Sequence, residues 1–269
     1  MAIIHVGDTD LDVERSGSGP PLLAIMGMSG TALHWGEPFL AQLGESFEVI
    51  AYDHRGVGAS SRLADGQVTI PQMAADAAGL IEALGLSSAH VLGISMGGMV
   101  AQELALSRPD LISTLTLGCT YCGGEGSAVA APEVIQKLSE PMLSGDREAA
   151  IRAGWEVNVS PTFAADEQAW ETFREIAAQR AVAVPVVMAQ MQAIMAHDTR
   201  DRLHAIAAPT LVVHGDLDQM LPVANGRLIA SLIPGARLEI MEGVGHLFFW
   251  ERPERSAELI RELAAVPAA

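Results

Sequence analysis

The chain has 269 residues, 49% of them hydrophobic, and a formal net charge of −17. That length and apolar content suffice for one large core, so a single globular unit is expected. The acidic balance argues against a surface for nucleic acid or anionic membrane, which needs clustered Lys and Arg, and no run approaches the ~18 apolar residues of a membrane span.

The N-terminal stretch from Met1 to Asp8 carries neither a basic region nor a long apolar run, which points to a cytoplasmic protein. Residues 3–6 and 11–14, joined by a polar turn containing Gly7, predict an antiparallel pair at a sheet edge. Apolar, β-rich runs predict buried strands at 22–26, 47–52, 89–93, 114–118, 210–214 and 237–241. Apolar residues spaced by three and four predict helices at 71–84, 96–106, 223–231 and 252–264. This alternation is the signature of an α/β fold, a mostly parallel sheet covered by helices on both faces.

One region departs from it. Residues 121–204 read as helical without a strand and separate the strands at 114–118 and 210–214. The chain thus divides into a core of 1–120 and 205–269 and a helical insertion of 121–204. The insertion leaves from the sheet edge where catalytic loops gather, which would place it over the site as a lid. Within it Met188, Met191 and Met195 share one helical face, a stripe that either packs or lines a pocket; Met188 and Met191 are candidate substrate-binding residues. Cys119 and Cys122 form a C-x-x-C, but no further pair of ligands lies near, so buried, inert thiols and no metal are expected.

The strongest local signal is Gly93-Ile94-Ser95-Met96-Gly97, preceded by the strand Ala89-His90-Val91-Leu92 and followed by a helical run. A strand-to-helix turn this tight forces the serine into a strained backbone conformation, and glycines on both sides make room for it. Ser95 is therefore the candidate nucleophile, with a helix N-terminus behind it to stabilise developing negative charge. A serine hydroxyl needs a base, and the base needs a carboxylate. His246, in Gly243-Val244-Gly245-His246 after the last strand, sits at the same sheet edge as Ser95 and is the candidate base. His214 ends a strand and His90 begins one, and both read as structural. Two carboxylates compete in Gly215-Asp216-Leu217-Asp218, the loop leaving the strand at 210–214; Asp218 is better placed than Asp216.

With Ser, Asp and His in that order, the chain resembles the α/β-hydrolase superfamily over nearly its whole length. The loop from Tyr52 to Ser60 resembles a largely structural loop of that family. The resemblance implies a mostly parallel eight-stranded sheet and a cap formed by the insertion. It also implies an oxyanion hole of two backbone N–H groups. One belongs to Met96, beside the nucleophile. The other falls on Met28, by the match of Met26-Gly27-Met28 to a loop that in relatives begins His-Gly. Met26 in place of that histidine is similar to bacterial esterases such as the polyketide methylesterases. Trp35, close behind this loop, packs in the core or forms a pocket wall.

The expected reaction is acylation of Ser95 by a small carboxylic ester or lactone and hydrolysis of the acyl-enzyme, with no cofactor. Cofactor-free perhydrolysis and carbon–carbon bond hydrolysis share the same residues, and a slow-turnover receptor that uses the pocket for binding is the reading of another class.

Overall fold

The protein is described here by a computed structural model covering residues 2–266. The chain opens with β1 (Ala2–Val6) and β2 (Thr9–Gly17) and continues with β3 (Pro21–Ile25), β4 (Glu48–Tyr52), β5 (Ala89–Ile94), β6 (Ile112–Gly118), β7 (Thr210–Gly215) and β8 (Arg237–Met241). These form one eight-stranded sheet in the order β1-β2-β4-β3-β5-β6-β7-β8. β1 pairs antiparallel with β2 through Ile4↔Leu11, and β2 pairs antiparallel with β4. Every other pairing is parallel. The inner parallel strands read as near-continuous apolar runs because helices cover both of their faces, while the edge strand β8 turns Arg237 and Glu239 toward water.

The helices are α1 (Glu37–Gly44), α2 (Ile70–Ala83), α3 (Met96–Ser107), α4 (Pro132–Ser144), α5 (Arg147–Asn158), α6 (Pro161–Ala164), α7 (Glu167–Gln179), α8 (Val184–Met195), α9 (Ala224–Leu232), α10 (Phe248–Glu251) and α11 (Pro253–Ala264). The two-residue period of the strands sorts them into two cores. Leu23 and Ile25 of β3 point to one face, where they meet Met73 and Leu80 of α2, Val100 and Leu104 of α3 and Ile229 of α9. Leu22 and Ala24 point to the other, against Phe39 and Leu43 of α1 and Leu259 and Leu263 of α11. Each such leucine, wholly removed from water, stabilises the fold by about 2 kcal/mol.

Helix α1 and the single 3-10 turn before it, Ala32–Trp35, are elements that the sequence pattern does not announce. They are short, and Gly36 with Pro38 between and inside them reads as loop chemistry.

Between β6 and β7 the described chain is helical, from α4 to α8, with no strand. Capping carboxylates and hydroxyls set the starts of three of these helices: Asp146 accepts from Ala149 N, Ser160 from Phe163 N and Asp166 from Ala169 N. These helices have a small aromatic core of their own, Trp155 with Trp170, Phe163 and Phe173, which Trp250 of α10 joins to the rest of the molecule. No helix among the described residues is long and apolar enough to cross a membrane.

Candidate active site

β5 ends at Ile94 and α3 begins at Met96, so Ser95 alone turns the chain from strand to helix. Its backbone stands at φ 55°, ψ −123°, a region that side chains seldom enter. The flanking glycines are required by contact. A Cβ at position 93 would come within 2.3 Å of Gly97 O, and one at 97 within 2.0 Å of Ile25 O. The turn is held by Ser95 N–H donating to Gly118 O (3.0 Å) and by the Thr120 hydroxyl donating to Ser95 O (2.7 Å). The Ser95 side chain is half-buried at the N-terminus of α3, and Oγ makes no hydrogen bond among the described residues.

The acid and the base come from the loops after β7 and β8, which lie one on the other: a Cβ at Gly215 would meet Gly245 O at 2.2 Å. His246 Nδ1 and Asp218 Oδ2 are 2.7 Å apart and both residues are buried. A carboxylate only accepts, so the imidazole carries its proton on Nδ1 and leaves Nε2 free to accept one. Asp218 Oδ1 takes the N–H groups of Met220 (2.8 Å) and Leu221 (2.9 Å), while Oδ2 also lies 3.2 Å from His214 Nε2. Burial alone would raise the pKa of Asp218. The charge of His246 and the hydrogen bonds from His214 and His246 outweigh it and hold the carboxyl below its ordinary range. Asp216 faces outward and accepts from Gly243 N–H (2.7 Å), which ties the two loops together without touching either histidine.

The strand ends bring these residues near Ser95. Cys119 follows Gly118, whose carbonyl holds Ser95 N–H, and the ligand atoms of Cys119, Asp218 and His246 all lie within 4.8 Å of one another. That trio is the one arrangement among the described residues that resembles a metal site. It makes a poor one, because both Asp218 oxygens are occupied by donors and burial, reinforced by the Asp218 charge, pushes the Cys119 thiol well above its ordinary pKa. Cys119 and Cys122 are buried free thiols.

Two positions bear on an oxyanion hole. Met96 is the first residue of α3, and Met28 lies in the loop after β3. Among the described residues neither backbone N–H has an acceptor in the protein. The loop is pressed against the serine, since a Cβ at Gly27 would stand 3.1 Å from Ser95 Cβ and 3.7 Å from Oγ. The next loop braces the start of this one, where His54 Nε2 donates to Met26 O (2.9 Å).

Three apolar residues were open to packing or to a place in the pocket. Trp35 is wholly buried in the core, packed on Phe39 and Phe249, because the 3-10 turn swings it to the face of the sheet that α1 and α11 cover. Met188 and Met191 are 52% and 38% exposed and do not pack, whereas the buried residues of α8 are Ala189, Gln190 and Ala193.

Two further residues support the site: His214, which the sequence reads as structural, and Glu251, which its sequence context does not single out. His214 backs Asp218. Buried Glu251 accepts from Gly245 N–H (2.8 Å), beside the histidine, and from Ser160 N–H (2.8 Å) of the insertion. The only trace of either in the sequence is a polar residue in an otherwise apolar context.

Residues 20–253 match the family model of the α/β-hydrolase fold. The chain is 32% identical over 245 residues to a poly(3-hydroxyalkanoate) depolymerase of Ectopseudomonas oleovorans, covering 89% of this chain and 82% of that protein. A thermophilic esterase from Thermogutta terrifontis superimposes with a TM-score of 0.79 at 28% identity, over 97% of this chain and 96% of that one. The enol-lactonase from Burkholderia xenovorans LB400 superimposes with a TM-score of 0.84 at 25% identity, over 98% of this chain and all of the other. The chain belongs to the α/β-hydrolase fold family and is a hydrolase of that fold.

Proposed function

We propose that the protein is a serine hydrolase of small carboxylic esters or lactones, acting through an acyl-enzyme on Ser95. His246 Nε2 takes the serine proton as Oγ attacks the carbonyl carbon, and returns it to the leaving alkoxide. Water then attacks the acyl group by the same route, and Ser95 is regenerated. Asp218 stays ionised, fixes the imidazole tautomer and stabilises the imidazolium. The N–H groups of Met28 and Met96 receive the negative charge on the former carbonyl oxygen, and the N-terminus of α3 adds to that stabilisation. The helices of 121–204 cap the site, and no cofactor takes part.

The observation that carries this reading is the Asp218–His246 contact of 2.7 Å beside a serine held on a positive-φ turn. The Ser95–His246 hydrogen bond forms when substrate is bound, as is usual for catalytic contacts that are loose in the free enzyme. The esterase and the lactonase that share this fold support the ester and lactone classes.

The test is a panel of p-nitrophenyl esters, lactones, carbamates and diketones, with and without hydrogen peroxide, run with wild type and Ser95→Ala. Ester or lactone turnover that vanishes with Ser95→Ala supports the proposal. Turnover confined to diketones, to peroxide-dependent products, or unchanged by the substitution overturns it.

A further inference from the structure

The loop that carries Met28 is gripped by the helical insertion. Ser29 stands at φ 58°, in the left-handed region that favours glycine, and it donates its backbone N–H to Gln190 Oε1 of α8 at 2.9 Å. At the far end of the same loop, Ala32 N–H donates to Asp53 Oδ1 (2.7 Å), and the other oxygen of that carboxylate takes Arg180 Nη1 of the insertion (2.8 Å). Two side chains of the insertion thus reach the segment between Gly27 and Ala32, one directly and one through Asp53.

Gln190 is an uneconomical choice for a merely structural residue. The residue is 1% exposed, and among the described residues Nε2 is buried without a partner, so the amide is stripped of water for the sake of one bond. That bond fixes the peptide joining Met28 to Ser29, the unit next to the one that carries the Met28 N–H, and so restricts the rotation about Met28 that would swing that N–H away. Ser29 itself is exposed, so water could satisfy its N–H if Gln190 were absent. What water could not do is hold a strained, solvent-facing turn in a single orientation.

We infer that Gln190 is a positioning residue: it holds the Met28–Ser29 peptide so that the Met28 N–H faces the reacting carbonyl oxygen, and the oxyanion hole is complete only when α8 is seated. This rests on the assignment of Ser95 and Met28 proposed above. Seating of the insertion over substrate and readiness for chemistry then become one event, because the same helix closes the site and sets the donor.

The discriminating feature is that stability and activity should move apart. In Gln190→Met, of similar length but without the amide, the buried unpaired Nε2 is gone, so Tm should equal or exceed that of wild type. kcat for a short p-nitrophenyl ester should fall by about ten- to a hundredfold, a part of what loss of a whole oxyanion donor costs, with KM within about twofold. Affinity for a trifluoromethyl ketone, whose hemiketal oxygen fills the hole, should fall with kcat, and the Ser29 amide should exchange faster with solvent. A kcat within twofold of wild type, or a parallel loss of kcat and Tm, overturns the inference. Ser95→Ala is the control: if it is inactive while Gln190→Met is fully active, only the positioning role falls, whereas an active Ser95→Ala removes the reading beneath it.

Discussion

His214 stands behind Asp218, its Nε2 3.2 Å from the Oδ2 that also takes Nδ1 of His246. The same Nε2 is 2.7 Å from Leu221 O, an atom that only accepts, so His214 is the donor and carries its proton there. It closes the loop from Gly215 to Leu221 around the acid. His214→Phe keeps the ring that packs on Gly226 and removes both contacts. We expect kcat to fall about tenfold with KM little changed, and stability to fall by about 1–3 kcal/mol for the carbonyl left unpaired. Steady-state kinetics with chemical denaturation checks this; unchanged kcat would make His214 a loop anchor only.

The two acids of that loop should separate cleanly. Asp218→Asn retains shape but offers His246 an amide, which can hold the imidazole in the wrong tautomer, and a loss of roughly 10³–10⁴ in kcat is expected. Asp216→Asn touches only the N–H of Gly243 on the surface and should keep kcat within about threefold. Reversal of this order would show that the base answers to the other carboxylate.

The parts of this molecule that were legible in its sequence are those written in local period and in glycine. The alternation of buried strands and amphipathic helices gave the sheet, and Gly93 and Gly97 marked a turn whose contacts leave no room for a Cβ. The loop from Gly215 to Asp218 could be placed because it leaves a strand end. The facing of α8 could not, because an apolar stripe is informative only if the apolar side is the packed side. Here Ala189 and Ala193 are the buried positions and Met188 is 52% exposed. Trp35 stayed open between core and pocket for a related reason: nearness along the chain to the loop of Met28 says nothing about which face of the sheet a 3-10 turn will choose. The contacts of Gln190 with Ser29 and of Glu251 with Ser160 link residues remote in sequence, and no periodicity encodes such pairs.

A pH effect on stability follows from His197. Burial lowers its pKa to about 4, against the smaller upward pull of Glu103; Arg202 adds to the lowering and Asp198 opposes it. The unfolded chain takes up the proton near pH 6.5 and the folded one near pH 4, so below pH 6.5 the unfolded state binds more protons. Keeping this ring neutral therefore costs nothing above that pH, and stability is lost as pH falls toward 4, by up to roughly 3 kcal/mol. His197→Gln removes the titration. Between pH 7 and 4.5 wild type should lose about 2 kcal/mol more than the variant in urea unfolding, and equal losses would mean that the ring is protonated in the fold without penalty.

Gly97 offers the sharpest test of the turn itself. A Cβ there would lie 2.0 Å from Ile25 O and 2.7 Å from Met26 O, both backbone atoms at the end of β3 that cannot rotate away. The added methyl must push α3 from the strand, and both candidate oxyanion donors move with that displacement, since Met96 begins α3 and Met28 follows the end of β3. A misplacement near 1 Å is enough to cost on the order of a hundredfold in rate. We therefore expect Gly97→Ala to fold with a Tm lowered by several degrees and to lose at least that factor in kcat, while Gly235→Ala, whose Cβ meets nothing, should leave kcat unchanged despite its strained φ of 72°. Circular dichroism melting curves and single-turnover kinetics on the two variants decide the matter, and a Gly97→Ala enzyme of normal rate would mean that the contact between α3 and β3 yields without disturbing Ser95.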